Sequence, residues 1–440
     1  MKEKAILIII IAVALGMRMT YLGHIWNKPL EESDEKNYEN LAWNLASGRG
    51  YANEYGAPTA RRAPFPSVFF ALVYLIFGRK VAAARLAQAV LGTLSCVFIY
   101  LTGKDLFGRK EGLISAGIAA IYPSFINFTG LLFSETFLIF ALILSLYFML
   151  KKRGNSFINF LLSGLFFGIS ALARPYVLIL PFFILLALLG FKVEKARVLF
   201  KKTLIIALGM LIVIAPWTAR NYIAHKRFIL INTQLGYTLL CSYFYPQKGF
   251  GYQNDELVET LTKEIPKKDR DVTIEGNRVL TRYTVNKIIE EPARFIKLLP
   301  LKFLWFWEPF GGRDYGMGSS YDVIYGLVFL FFLSGLAGSR AIWKKTLPFT
   351  VTIIYCVIIS LIFFGCRRYR MPIEPFFIII ASYGVSWSIG KCPKNRFISA
   401  LLVLGIAANI LFYFMGDNIK TISKKAANIF GYSAFSKTGD

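Results

Sequence analysis

The chain has 440 residues, of which 55% are hydrophobic and 16% are aromatic, and its mean hydropathy is +0.51. Soluble domains are less apolar, so these values exclude an ordinary water-soluble protein and predict a polytopic, all-α integral membrane protein. The formal net charge is +25. In a soluble protein this excess would suggest a nucleic-acid partner. Here the basic residues lie mainly in short clusters between apolar runs, as the positive-inside rule requires, so we expect no nucleic acid.

Cysteine and histidine usage argues against a disulfide framework and against a zinc site. The five cysteines are scattered without a CxxC pair, and Cys96 and Cys356 lie inside apolar runs. The chain has two histidines, which disfavours a His-rich metal site. The first apolar run, residues 5–17, ends at Arg18 without a small-x-small cleavage pattern, so an uncleaved anchor is favoured over a signal peptide.

Apolar runs that could cross a bilayer recur along the whole chain. A membrane-spanning helix needs about 20 mostly apolar residues. We predict about eleven spans, some of them short enough to suggest tilt. They are residues 5–23, 81–102, 113–128, 131–150, 157–172, 176–189, 204–217, 323–336, 347–364, 371–389 and 397–415.

The charges of the loops support one orientation. If the N-terminus is cytoplasmic, every second loop carries a basic cluster, and these inside clusters lie at residues 104–110, 151–153, 192–202, 340–345 and 391–396. This is the pattern of the positive-inside rule, and the odd number of spans then places the C-terminus outside. We therefore predict a multi-pass protein of the plasma (inner) membrane, with its active site on the outer face.

The spans divide the chain into four parts. We predict an N-terminal transmembrane module at 1–217 with an outer loop at 24–80, an outer-face loop at 218–321, C-terminal transmembrane helices at 322–416 and an outer tail at 417–440. The apolar end of the first loop is too short to span and should lie in the interface or dip into the membrane. In the second loop we expect interfacial amphipathic helices that are broken at Pro292 and Pro300.

The segment SDEKNYENLAWNLASGRG, residues 33–50, reads as a short amphipathic helix in the first outer loop. Apolar residues recur at i, i+3, i+4 and i+7, namely Tyr38, Leu41, Ala42 and Leu45. The asparagines Asn37, Asn40 and Asn44 are predicted to face away from this stripe, and Gly48 and Gly50 to end the helix. The adjacent acids Asp34 and Glu35 then occupy its first turn, where carboxylates are stabilising without any further role.

Two arginine clusters are predicted on the outer face, where topology does not explain them. One is Arg61 and Arg62 in the first outer loop, and the other is Arg367, Arg368 and Arg370 in the link GCRRYR. Guanidinium groups at a membrane boundary suit a phosphate or pyrophosphate. The alternative is contact with lipid headgroups, or snorkelling to the interface.

Two more ionisable residues stand at the outer ends of predicted spans, namely Glu135 and Arg174. Charged groups at membrane depth are expensive and usually belong to a functional site, although a structural salt bridge is the competing explanation. Acids and arginines from at least four places thus converge on one membrane face. This convergence predicts a site for an anionic, lipid-borne substrate.

At this point the chain resembles the integral-membrane glycosyltransferases of the GT-C fold, in the dolichyl-phosphate-mannose-protein mannosyltransferase-like family that includes the lipid A aminoarabinose transferase. The resemblance covers nearly the whole chain and rests on short motifs in the expected order. They are DEKNYENLAWNLASGRGY, RRAPFPSVFF, SETFLIF, ALARP, APWTARNY and RRYRMPIEPF.

The resemblance implies a GT-C-like helical bundle and a sugar donor linked through phosphate to a polyprenol. The family's catalytic acid falls on Asp34, with Glu35 beside it, and a second acidic position falls on Glu135. Donor-phosphate or structural roles fall on Arg61 or Arg62, Arg174, Arg220, Arg367, Arg368 and Arg370, and Tyr38 is a further substrate-binding candidate. Some relatives have a lysine in place of the Arg61–Arg62 pair, and many have a larger C-terminal soluble domain.

The predicted reaction is the transfer, with inversion, of a hexosyl or pentosyl group to an acceptor on a lipid, glycan or protein. Asp34 would act as the base and arginines would stabilise the leaving phosphate. Asp34 and Glu35 could together offer oxygen ligands to Mg²⁺ or Mn²⁺, but adjacent acids are a weak metal signal, and we expect no obligatory metal. The alternatives are a lipid or lipid-linked-sugar flippase, although no internal repeat is visible, and a non-catalytic assembly partner.

Overall fold

The structure is a computed structural model of the chain. It describes residues 2–30, 34–151, 153–244, 256–263, 274–308, 322–391 and 403–411. In these ranges the chain is helical and contains no β-strand, and an isolated bridge joins Ala52 to Pro58. The predicted all-α membrane class is therefore confirmed. The predicted outer tail at 417–440 and most of the predicted span at 397–415 lie outside the described residues.

The first ten helices carry the N-terminal part of the chain. They are α1 (Lys2–His24), α2 (Asp34–Ala46), α3 (Phe65–Phe77), α4 (Val81–Phe107), α5 (Arg109–Ile121), α6 (Pro123–Asn127), α7 (Glu135–Leu150), α8 (Ser156–Ala173), α9 (Leu180–Gly190) and α10 (Ala196–His225). A 3₁₀ turn, Pro175–Ile179, joins α8 to α9.

Eight further helices follow in the described part of the chain. They are α11 (Leu235–Phe244), α12 (Glu256–Leu261), α13 (Ile274–Glu290), α14 (Pro292–Trp307), α15 (Val323–Gly338), α16 (Trp343–Ile362), α17 (Arg367–Arg370) and α18 (Glu374–Lys391). Residues 403–411 are also helical.

Six helical segments among the described residues are long and apolar enough to cross a membrane. They are Glu3–His24, Val81–Phe107, Ser156–Ala173, Ala196–His225, Trp343–Ile362 and Arg367–Gly390. Five shorter apolar helices accompany them: Phe65–Phe77, Glu135–Leu150, Pro175–Gly190, Leu235–Phe244 and Val323–Gly338. The predicted count of eleven spans is not confirmed by these lengths.

Small residues let the longest helices approach one another closely, as is usual where helices pack inside a membrane. Gly164 on α8 lies against the backbone of Ile206 on α10, and a Cβ at Gly164 would overlap the Ile206 carbonyl. In the same way, Gly384 on α18 lies against the backbone of Phe331 on α15, and a Cβ at Gly384 would overlap the Phe331 carbonyl oxygen. Glycine therefore permits close backbone contact in both of these helix pairs.

One predicted helix break is wrong. Pro292 does begin α14, where the missing N–H of proline costs no hydrogen bond. Pro300, however, lies inside α14, which continues to Trp307. A single proline removes one intrahelical bond, and packing on both sides of it can hold the helix together.

The predicted amphipathic helix in the first outer loop is confirmed as α2. Its apolar stripe is buried, with Tyr38 2% exposed and Ala42 fully buried. The helix ends at Ala46, before Gly48 and Gly50, which adopt positive φ angles of 78° and 74°.

One asparagine of α2 does not face away as predicted. Asn44 is buried and donates hydrogen bonds of 2.8 and 3.0 Å to the carbonyl oxygens of Ala52 and Asn53. These bonds tie the end of α2 to the loop that carries Arg61 and Arg62.

Candidate active site

A buried ion-pair network joins four distant parts of the chain. Arg368 on α17 donates to Asp34 Oδ2 at 2.7 Å and also pairs with Glu135 at the start of α7. Arg62, in the loop before α3, pairs with Asp34 Oδ1 at 2.5 Å. Arg174, at the end of α8, pairs with Glu135 Oε1 at 2.5 Å. Two acids and three arginines therefore form one chain of contacts.

This network borders a cavity of about 650 Å³. Its charged lining consists of Asp34, Arg61, Arg62, Arg174 and Arg368. Neutral polar side chains, among them Asn232, Gln234 and Thr238, line another part of the wall. The remaining lining is largely apolar or aromatic and includes Leu178, Ile179, Phe228, Tyr355, Ile359 and Phe363.

Most of the charged side chains that line the cavity in the described part of the chain are arginines. Four arginines and one carboxylate line it among the described residues, and Glu135 supplies a second carboxylate just behind Arg174 and Arg368. The set therefore carries more positive than negative charge in a largely buried place. Clustered guanidinium groups favour an anionic ligand, and their planar donors suit the oxygens of a phosphate.

The environment of Asp34 keeps its carboxylate ionised. Burial by itself would raise the pKa of Asp34, but the positive charges of Arg62, Arg368 and Arg174 outweigh that effect. The pKa of Asp34 consequently lies well below its ordinary value of 3.8. The group is 16% exposed, so it faces the cavity as an anion with two fixed cationic partners.

Glu35, the neighbour of Asp34, points elsewhere. It is 1% exposed, and its Oε1 accepts a 2.9 Å hydrogen bond from the backbone N–H of Leu132. This bond fastens α2 to the loop that leads into α7. Within the described part of the chain no group of three His, Cys, Asp or Glu side chains is placed to hold a metal ion.

The residues of the first arginine cluster and Tyr38 lie close together. Arg62 also donates to Gln234 Oε1 at 3.2 Å, and its guanidinium lies 5.8 Å from the ring centroid of Tyr38. Arg61 lies 5.9 Å from the ring centroid of Tyr237. Tyr38 is buried beneath Arg62, where it supports that side chain.

The other predicted arginines lie in separate structural networks. Arg220 donates to the carbonyl oxygens of Thr59 and Tyr51 at 2.8 and 2.6 Å, so it holds the loop between α2 and α3 in place. Arg367 donates to Asp322 Oδ2 at 2.6 Å and to the Ser124 hydroxyl.

Arg370 is 1% exposed and makes a third set of contacts. It pairs with Glu374 at 2.9 Å and donates to the carbonyl oxygens of Phe306 and Glu308. Of the three arginines in GCRRYR, Arg368 is the one that lines the cavity.

Sequence reasoning missed several residues that support the site. Arg85 is 3% exposed and donates to the carbonyl oxygens of Gly130, Ile25 and Lys28, so it braces the loop that Glu35 also holds. Its position inside a predicted span was a usable signal, because ionisable residues at membrane depth are rarely without a role. Gln234 carries no such signal in the sequence.

Comparison with known proteins bears on the same residues. Residues 61–219 match the family model described as dolichyl-phosphate-mannose-protein mannosyltransferase. This range includes Arg61, Arg62, Glu135 and Arg174. A search of curated protein sequences finds no match.

Solved structures with a similar fold include the archaeal oligosaccharyltransferase AglB from Archaeoglobus fulgidus, in complex with an inhibitory peptide and a dolichol-phosphate. The TM-score is 0.56 at 15% sequence identity, and the match covers 94% of this chain and 55% of AglB. The chain thus spans about half the length of that protein. The apo form of the Archaeoglobus fulgidus oligosaccharyltransferase matches with TM-score 0.56 at 17% identity over 94% of this chain and 54% of the other. ArnT from Cupriavidus metallidurans matches with TM-score 0.42 at 13% identity, covering 88% and 78% of the two chains.

The resemblance that the sequence motifs indicated is therefore confirmed. A matching fold over 94% of the chain identifies the architecture, and the family match adds a sequence pattern within it. The chain has the GT-C fold of integral-membrane glycosyltransferases, and its residues 61–219 carry the pattern of the dolichyl-phosphate-mannose-protein mannosyltransferase family.

Proposed function

We propose that the protein is a membrane glycosyltransferase that moves a sugar from a polyprenyl-phosphate-linked donor to an acceptor group on the non-cytoplasmic face of the plasma membrane. The observation that carries this proposal is the cavity in which Asp34 stands among Arg61, Arg62, Arg174 and Arg368. A carboxylate beside several guanidinium groups offers both a base and a phosphate site. Glycosyl transfer from a phosphate-linked donor needs both.

The shape of the cavity supports a lipid-linked donor. Besides its charged groups, the cavity is lined by apolar residues such as Ile179, Phe228 and Ile359. Ile179 and Phe228 are 48% and 74% exposed, so apolar surface continues from the cavity to the outside of the protein. Such a surface suits an isoprenoid chain that leaves the site toward the bilayer. AglB, which shares the fold, was solved with a dolichol-phosphate.

The reaction would proceed as follows. The acceptor hydroxyl, or a similar group, gives its proton to the Asp34 carboxylate while its heteroatom attacks the anomeric carbon of the sugar. The bond between that carbon and the phosphate oxygen breaks on the opposite side, so the configuration inverts. Arg62, Arg174 and Arg368 neutralise the charge of the departing polyprenyl phosphate. No strong general acid is needed, because the phosphate is already a good leaving group.

The ion pairs of Asp34 suggest how the base is activated. With both Arg62 and Arg368 bound to it, the carboxylate is a weak base, because its pKa is held low. A donor phosphate attracts the same guanidinium groups and draws their charge away from the carboxylate. Donor binding would then raise the basicity of Asp34 at the moment when the base is needed.

The same arrangement favours an enzyme over a flippase. A flippase needs polar groups along a path through the membrane, and transporters place their sites near the midplane. Here the ionisable residues that line the cavity come from a loop before α3, from helix ends and from the short α17. Five such groups gathered at one place suit bond cleavage at a fixed site.

The decisive experiment uses the purified protein in liposomes with a polyprenyl phosphate that carries a radiolabelled sugar. Release or transfer of the sugar supports the glycosyltransferase, and movement of the intact lipid across the bilayer without cleavage supports the flippase. A panel of pentosyl and hexosyl donors, with lipid, glycan and peptide acceptors, identifies the substrates.

The same assay tests the role of metal ions. We propose that no metal is obligatory, because the two adjacent acids make different contacts: Asp34 faces two arginines and Glu35 binds the Leu132 N–H. Activity should then survive a chelator. Loss of activity with EDTA and its recovery with Mn²⁺ or Mg²⁺ would contradict this.

The proposed orientation has the N-terminus in the cytoplasm and the active site and C-terminus outside. Reporter fusions to the inside loops, such as 151–153, and to the first outer loop, such as residue 55, test it directly. An inside-reporting signal from residue 55 would contradict the orientation.

A further inference from the structure

A buried lysine that the proposed mechanism does not use lies beside the helix that carries Arg368. Lys302, on α14, is fully buried. Its Nζ donates to the Ser242 hydroxyl at 2.7 Å and to the Ile362 carbonyl oxygen at 3.2 Å. Ser242, on α11, is 1% exposed and in turn donates to the carbonyl oxygens of Ile362 and Phe363.

Both side chains contact carbonyl groups at the C-terminal end of α16. This helix ends at Ile362, and the last carbonyl groups of a helix have no partner within it. A cation is stabilising at that end, because the helix dipole is negative there. Lys302 and Ser242 therefore cap α16 from two other helices, and they do so where water is excluded.

The capped end leads directly to the site. Four residues, 363–366, separate Ile362 from α17, and Arg368 is the second residue of that short helix. In this link, Gly365 packs directly on the backbone of Lys302, and a Cβ at position 365 would overlap the Lys302 carbonyl oxygen. The link is thus held on α14 both by a side-chain cap and by a backbone contact that glycine permits.

Lys302 has no other evident reason to be buried. Among the described residues it forms no ion pair with a carboxylate, and its nearest aromatic partner is Phe295 at 5.8 Å from the ring centroid. Burial lowers the pKa of Lys302 to about 7, because desolvation disfavours the charged form of the side chain. In some proteins a buried polar group specifies one structure without adding stability, and its contacts are then what it is retained for.

We infer that Lys302 is a positioning residue, which, together with Ser242, caps α16 and thereby sets the place of Arg368 between Asp34 and Glu135. The inference rests on the proposed function only in so far as Arg368 binds a phosphate. A loose link would let Arg368 move away from the acids on α2 and α7, and small displacements of a binding group weaken a pre-organised site.

The test compares Lys302→Met with Lys297→Met in the full-length protein in detergent. Methionine keeps the length and packing of the buried stem, and Lys297 is an exposed lysine of the same helix, so it is the matched control. Hydrogen exchange followed by mass spectrometry reports on the segment 362–370, and binding of farnesyl phosphate reports on Arg368. Ser242→Ala serves as a second variant if Lys302→Met does not fold.

We expect faster exchange confined to 362–370 in Lys302→Met and Ser242→Ala, and about tenfold weaker farnesyl phosphate binding. Lys297→Met should match the wild type in both measurements. Unchanged exchange in 362–370, or an equal increase throughout the protein, would overturn the positioning role. If the wild type does not bind farnesyl phosphate but the local increase in exchange is seen, the positioning role is supported and the proposed function is contradicted.

Discussion

The sharpest test of the proposed mechanism is Asp34→Asn, because it should move binding and turnover in opposite directions. Asp34 holds Arg62 at 2.5 Å and Arg368 at 2.7 Å. The amide has nearly the same shape as the carboxylate but carries no charge. It therefore removes the base and, at the same time, the anion that competes with a donor phosphate for two guanidinium groups.

The magnitudes follow from these contacts. Loss of a general base should lower the transfer rate by about 10²- to 10⁴-fold. A hydrogen bond to a charged group contributes about 1.5–3 kcal/mol, so release of one arginine to the phosphate should tighten binding of a polyprenyl phosphate by roughly tenfold or more. The cluster also becomes more positive, with Glu135 as its remaining carboxylate among the five networked side chains.

The assay measures both quantities on one preparation. Transfer is followed with a radiolabelled sugar-phosphate-polyprenol, and binding is followed with farnesyl phosphate by calorimetry. Glu39→Gln is the matched control, since Glu39 is a buried acid of the same helix that pairs with Arg79 at 2.7 Å and does not line the cavity. This variant should change neither the rate nor the affinity by more than a few-fold.

Two results would refute the reasoning. Near-normal transfer by Asp34→Asn, with the protein intact, would show that Asp34 is not the base. Weaker rather than tighter binding of farnesyl phosphate would show that the carboxylate does not compete with the ligand, and the idea that donor binding activates Asp34 would fail with it.

Three further outcomes are expected. Arg368→Lys keeps the charge but loses the planar guanidinium group that donates to two carboxylates, so farnesyl phosphate binding should weaken by roughly tenfold. Equal affinity would contradict a bidentate role. Glu35→Ala leaves the buried N–H of Leu132 without its acceptor and should destabilise the protein by about 1–3 kcal/mol in thermal unfolding, whereas an unchanged melting temperature would contradict the bracing role. Because burial lowers the pKa of Lys302 from 10.5 to about 7, the unfolded chain holds more protons than the folded protein between those values, and stability should rise with pH across this window. Lys302→Met should lose that rise, and a wild-type-like pH dependence would contradict the buried position of the ammonium group.

Much of the architecture could be predicted from local pattern. The apolar runs predicted helices, and α4, α8 and α16 follow them closely. The i, i+3, i+4 stripe predicted α2, because such a stripe has one stable arrangement against a core. Span length was harder, since a helix such as α10, of 30 residues, extends well beyond its apolar segment.

The errors in the fold have a common origin. Asn44 was expected to face water because its side chain is polar, but two backbone carbonyls of the following loop satisfy it in a buried place. Pro300 was expected to end a helix because it lacks an N–H, but α14 is held by its neighbours on both sides of the proline. In each case tertiary contacts outweighed the local preference, and they join residues that the sequence does not show to be close.

The candidate site, like the fold, could be predicted only in part from the sequence. The sequence identified acids and arginines that should meet on one face, and the structure brings Asp34, Arg62, Glu135, Arg174 and Arg368 together. Their catalytic and binding roles stay predictions. The supporting residues, such as Lys302 and Gln234, could not be found in this way, because their importance lies in contacts across more than 50 residues of sequence.

The segment GCRRYR shows why a cluster of arginines is a poor guide to a phosphate site until each side chain is placed. Its three guanidinium groups leave a four-residue helix in different directions. Arg367 reaches Asp322 and Arg370 reaches Glu374, so each of these two charges is neutralised within the protein. Arg368 shares Glu135 with Arg174, and it shares Asp34 with Arg62. In this network three arginines therefore pair with two carboxylates. Arg368 is thus the arginine of this segment that shares its carboxylates with other arginines, and this sharing, rather than the number of arginines beside it, makes it the candidate for a donor phosphate.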